Sequence, residues 1–152
     1  MKIFIAADHA GYEMKENLKE FLQLAGHDVE DLGAHQYNEP DDYPDFIIPA
    51  AQKVAATADS MGIVLGGSGQ GEAIAANKVD GIRAALYYGH NMEIVRLSRT
   101  HNNANVLSLG ARMISLEEAK EAVSIWLETK FNGEERHQRR TDKMLKYEQE
   151  RS

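Results

Sequence analysis

Hydrophobic positions along the chain fall into two kinds of run. Short apolar stretches at 2–7, 27–33, 61–67, 82–88 and 104–111 read as strands, and most are continuous, as in a sheet buried on both faces. Between them apolar residues recur at helical spacing. Met14, Leu18, Phe21, Leu22 and Ala25 mark a helix over 12–25, and Gly26 is its natural stop. Further helices are predicted over 45–58, 72–78, 90–101 and 115–131. The last opens with Ser115 three residues before Glu118, the pattern of a capping box. Residues 34–44, rich in Pro, Asn and Asp, read as a loop. Strands and helices alternate from end to end, which predicts an α/β domain: a doubly wound five-stranded parallel sheet with helices on both faces. Gly133 punctuates, and the charged stretch 134–152 follows as a C-terminal helical tail. Residues 1–152 form one domain in this reading.

Such a sheet binds its ligand beyond the carboxyl ends of the strands, at the point where strand order reverses. The residues to inspect are therefore Asp8-His9, Gly66–Gly71, Tyr87-Tyr88 and Gly110–Arg112. Composition narrows the chemistry. A net charge of -7 argues against general attraction to nucleic acid or to an anionic membrane, but leaves room for an anionic small ligand held by a local cluster. The absence of cysteine removes disulfides, zinc–thiolate sites and a thiol nucleophile. The opening "MKIFIAADHAG" is too short for a signal peptide or a membrane span, so a cytoplasmic protein is expected. Six histidines show no H-E-x-x-H spacing, and no metal or other cofactor is assigned.

The most informative stretch is "VLGGSGQGEAIAANK", Val64 to Lys78, where an apolar run meets four glycines within six residues. A strand–glycine loop–helix unit presents backbone N–H groups that suit an anion or a developing oxyanion, although a tight turn would have the same composition. It is neither a Walker A loop nor a dinucleotide fingerprint. Glu72 either complements the helix dipole or acts as a general base over the crevice. Ser68 is a turn residue or a catalytic hydroxyl. His101, in "RTHNNANV", is a loop residue beside Asn102 or a proton carrier. Asp8 and His9 form a turn with a helix cap, or line a site. The tail segment "RHQRR" puts Arg136, His137, Arg139 and Arg140 into five residues. It is a solvated helix face or a phosphate clamp, since guanidinium forks match phosphate oxygens. With only Met144, Leu145 and Tyr147 to bury, the tail gains most by packing across another subunit. A homodimer with each tail in the neighbour's crevice is the expectation.

Taken together, "AADHAG", "DYP" at Asp42–Pro44, "GGSGQGEAIAANK", "GIRAAL", "RTHNNANVLSLGAR" and "ERHQRR" resemble the type B ribose-5-phosphate isomerases and the related sugar-phosphate isomerases, which include galactose-6-phosphate isomerase subunits. The resemblance runs from Ile3 to about Tyr147. It implies a Rossmann-like domain, a homodimer or tetramer with shared sites, and aldose–ketose isomerisation without metal or nucleotide. Many members carry a cysteine base where this chain has Gly66; another branch uses a glutamate after the glycine loop, and Glu72 matches it. The resemblance further implies that His101 opens the furanose ring, with Ser68 in the catalytic set. Asp8, His9, Tyr43 and Asn102 would line the sugar, and Gly67, Ser68, Gly69, Gln70 and Gly71 would hold the oxygens at the reacting end. Arg112, Arg136 and Arg140 would hold the phosphate, the last two from the neighbouring subunit, with His137 as an extra contact. The expected reaction interconverts ribose 5-phosphate and ribulose 5-phosphate. The rivals are a tetrose 4-, galactose 6- or allose 6-phosphate isomerase and a non-catalytic phosphosugar-binding module. Neither nucleic acid nor a membrane is an expected partner.

Overall fold

A computed structural model describes residues 1–152. The elements, in chain order, are β1 (Lys2–Ala7), α1 (Tyr12–Leu24), β2 (Asp28–Asp31), α2 (Pro44–Ala56), β3 (Met61–Gly66), α3 (Gln70–Ala76), β4 (Ala84–Tyr87), α4 (Glu93–Thr100), β5 (Val106–Gly110), α5 (Leu116–Glu128) and α6 (Glu135–Arg151). The five strands make one sheet in the order β2-β1-β3-β5-β4, and every pairing is parallel. Strand order reverses between β1 and β3, so the crevice expected of this architecture opens beyond Ala7 and Gly66.

Side-chain alternation along the strands divides the core in two. Ile3, Ile5 and Ala7 of β1, with Ile63 and Leu65 of β3 and Leu107 and Leu109 of β5, face one way. There they meet Leu18 and Leu22 of α1, Val95 of α4 and the α5 stripe Ala119, Ala122, Val123 and Trp126. That stripe has the i, i+3, i+4, i+7 spacing of a one-faced helix. Trp126 is fully buried, and its truncation to Ala would cost about 3–5 kcal/mol. Phe4, Ala6, Val64 and Val106 face the other way, onto Ile47, Ala50, Ala51 and Val54 of α2 and Ala75 and Ala76 of α3. Helices therefore cover both faces, as the continuous apolar strands predict. No helix is long and apolar enough to cross a membrane.

Some local features differ from expectation. Helix α3 begins two residues early because Gly69 takes the left-handed conformation (φ 80°) and turns the chain into the helix. The capping box at α5 is only half used. Ser115 Oγ accepts from the Glu118 N–H at 3.1 Å, but the Glu118 carboxylate instead accepts from the Tyr87 hydroxyl at 2.7 Å. Tyr87, a strand-end residue, is thus committed to the core, where burial and then the Glu118 carboxylate push its phenol up to about 12. Lys15 is fully buried at a position no apolar pattern explains; it pairs with Asp31 at 2.6 Å and Glu16 at 2.8 Å. Asp31 also accepts from the Gly33 N–H, which ties the end of β2 to α1.

Candidate active site

At the carboxyl edge, the loop after β3 is shaped by what lies against it. The buried Ser108 hydroxyl donates to the Gly69 carbonyl at 2.6 Å. A Cβ at Gly69 would run into the Leu109 backbone. A Cβ at Gly66 would land on the Glu72 carboxylate itself. The bare backbone at position 66 is therefore the space the carboxylate occupies. Glu72, in the first turn of α3, is only 4% exposed. Burial pushes its carboxyl above the usual range; its own backbone N–H opposes the rise, and the neighbouring Asp8 charge adds to it. A carboxyl so placed is biased toward its protonated form and is suited to exchanging a proton with a ligand in the crevice.

Around this group the fold gathers several of the expected residues. Arg112 lies over Gly67, and its backbone N–H donates to the Gly67 carbonyl at 3.0 Å. Tyr43, at the start of α2, lays its ring against Gly71. Asp8 is buried, and its Oδ1 accepts from the N–H groups of Ala10 and Gly11, so it shapes the turn after β1 while its charge acts on Glu72. Ser68 Oγ accepts from the Gln70 N–H at 3.3 Å, a turn-forming contact. His9 Nδ1 lies 2.7 Å from Asp41 Oδ1. Asp41 is the residue that sequence reading missed, because an Asp in "EPDDYP" reads as loop polarity; only the fold shows it beside His9. Asp8, His9 and Asp41 also bring three ligand-capable atoms within 4.8 Å of one another, but Asp8 Oδ1 is engaged by backbone amides and Asp41 Oδ1 by His9.

The remaining expected residues stand elsewhere. His101 ends α4 and precedes β5, so in a parallel sheet it lies at the amino edge. The two edges are roughly 15 Å apart, the rise of five strand residues. Glu72 and His101, expected to serve one sugar, occupy opposite edges of the same sheet, so one chain alone does not bring them into a single cleft. The His101 ring stacks on His137 of α6, centroids 4.1 Å apart and planes within 15°. His137 is buried, and its Nε2 makes no hydrogen bond within the chain, with the Glu134 carboxylate 3.9 Å away. Asn102 lines a separate cavity of about 350 Å³ with Asn77, Arg83 and Met144. Arg136 is exposed and pairs with Glu134 at 3.2 Å; Arg140, one turn on, is exposed as well. The tail holds to its own chain farther along, where Glu148 accepts from the Gly81 N–H and Arg151 pairs with Asp80. One edge thus carries a buried carboxyl, a glycine loop and one guanidinium. The other carries stacked imidazoles and two exposed arginines, of which Arg136 is paired with Glu134.

Comparison with known proteins gives a consistent set of relatives. A family model described as Ribose/Galactose Isomerase matches residues 3–144. "Ribose-5-phosphate isomerase B" of Mycobacterium tuberculosis is 46% identical over 148 residues, covering 97% of this chain and 90% of the relative. The crystal structure of ribose-5-phosphate isomerase B from Mycoplasma genitalium with bound ribulose-5-phosphate aligns with TM-score 0.93 at 42% identity, over 98% of this chain and 97% of that one. The enzyme from Clostridium thermocellum aligns with TM-score 0.92 at 44% identity over 100% of both chains.

Proposed function

The chain belongs to the ribose/galactose isomerase family, and from that premise we propose that it interconverts D-ribose 5-phosphate and D-ribulose 5-phosphate with Glu72 as the proton-transfer base. The observation that carries the assignment of the base is the fit of the Glu72 carboxylate into the space left by Gly66, buried beside the glycine loop. Moving a carbonyl between C1 and C2 requires a proton to leave carbon and return to its neighbour. Glu72 removes the C2 proton of the open-chain aldose and delivers it to C1. The enediolate between these steps is stabilised by the N–H groups of the Gly67–Gly71 loop; one such donor is worth about 3–4 kcal/mol. The phosphate does not react, and its binding energy fixes the sugar against the base.

A second copy of the chain completes the site. Glu72, Asp8, His9, Tyr43 and Arg112 come from one protomer. His101 and Asn102, with Arg136, His137 and Arg140, come from the amino edge of its partner, where His101 passes a proton to open the ring and the arginines close on the phosphate. Exposed apolar side chains beside the glycine loop and after the neighbouring strands, Ile74, Tyr88 and Met113, support burial against a second chain.

The test of the base is Glu72→Gln. Exchange of the substrate C2 proton with solvent should fall by about 10²–10⁴-fold while ribose 5-phosphate still binds. Retained exchange would remove Glu72 from the role. Assays across four-, five- and six-carbon aldose phosphates test the substrate, with the five-carbon sugar expected to be turned over best.

A further inference from the structure

We infer that Asp41 is a positioning residue of this site: it holds His9 in one orientation beside Arg112 and presents the His9 Nε2 to the anionic end of the substrate. The inference rests on the isomerase reading above and concerns a residue that reading does not use. Asp41 Oδ1 makes two contacts with the same residue, accepting from the His9 backbone N–H at 3.1 Å and lying 2.7 Å from His9 Nδ1. The Asp41 side chain is 5% exposed, and its Oδ2 has no partner. A buried carboxylate with so little else to do acts through the imidazole it touches. With Nδ1 turned to Asp41, Nε2 is the ring nitrogen left for a ligand.

Two residues of the loop before α2, Tyr37 and Asp41, meet this ring. Tyr37 meets it edge-on, 6.2 Å between centroids, and Asp41 itself is fixed by a turn in which its N–H donates to the Asn38 carbonyl at 3.0 Å. Three charged groups face His9 from three elements. Asp41, through its hydrogen bond, and Asp8 after β1 favour the cation; Arg112 after β5 opposes it, as does burial. The net effect raises the His9 pKa above its ordinary value. His9 and Arg112 standing together are what a phosphate would bridge, and Asp41 biases the first toward its charged form beside the second.

The experiment combines kinetics with histidine titration by NMR on the full-length protein. Asp41→Asn keeps the side chain's shape and removes its charge. It should raise the KM for ribose 5-phosphate about tenfold with kcat changed by less than about threefold. Its deficit in kcat/KM should widen as pH rises from about 6, because the variant loses the His9 proton at lower pH than the unaltered protein does. Asp41→Glu should recover part of the loss. In a His9→Gln background the same Asp41→Asn change should cost less than about twofold, since its effect passes through the ring. A pH-independent deficit, or losses that add fully to those of His9→Gln, would overturn the proposal. So would a His9 imidazole that titrates in the unaltered protein at or below 6.5, a measurement that needs no variant. Failure of the unaltered protein to isomerise ribose 5-phosphate would sink the functional reading alone, and the His9 titration would still decide the part played by Asp41.

Discussion

The two edges of the sheet treat histidine in opposite ways. At the carboxyl edge His9 is bonded to Asp41 and biased toward its charged form. At the amino edge His137 is biased toward neutrality, first by burial and then by the charges of His101 and Arg136 close by. The sign of each follows from the partner: a carboxylate stabilises the imidazolium, whereas a second imidazole and a guanidinium repel it. The linked effects on stability also have opposite signs. His9, with a raised pKa, contributes stability below 6.5 that is lost as pH rises through its folded-state value. His137, with a lowered pKa, contributes stability above 6.5 that is lost as pH falls. One edge thus biases its histidine toward the cation and the other toward the neutral ring, and the two stand at opposite ends of the same sheet.

Breaking the amino edge should have the largest effect. His101→Asn should lower turnover of cyclic substrate by about 10²–10⁴-fold while an open-chain analogue is processed nearly as before. Equal losses on both would end the ring-opening role. The same variant tests the division of labour between protomers. Glu72→Gln and His101→Asn, each inactive alone, should regain roughly a quarter of normal activity when co-refolded. Random pairing makes half the dimers mixed, and each mixed dimer carries one intact site of two. No recovery would mean that both residues must act within one chain.

At the carboxyl edge, Gly66→Ala should lower kcat by about 10²-fold with little change in melting temperature, because the added methyl displaces the end of a flexible side chain and leaves the backbone alone. Unimpaired turnover would show that the carboxylate need not sit over position 66. The smallest effect concerns His137. Melting temperature in the unaltered protein should fall as pH drops below 6.5, and His137→Gln should flatten part of that slope. A slope unchanged by the substitution would take the stacked imidazole out of the comparison.

The fold was largely readable from the chain, and the reasons differ by element. Strands β1, β3 and β5 are buried on both faces, so their apolar runs are unbroken and their bounds emerge within a residue or two. The edge strand β2 is half-exposed and reads "DVED", which only its neighbours identify as a strand. The glycine loop and Glu72 stand out because four glycines between a strand and a helix are costly without a use. The place of His101 was present in the sequence but indirectly: a residue after a helix and before a strand of a parallel sheet must lie at the amino edge. Asp41 and Lys15 left no such trace. Each looks like an ordinary charge in a polar stretch, and what distinguishes them, burial against His9 and against Asp31, depends on partners far along the chain.

Positions 66 and 72 share room for a single buried side chain. A group rooted at 66 could enter that volume only by displacing the carboxylate of residue 72. Glycine at 66 therefore reserves the space for the acid, and any larger residue there would claim it.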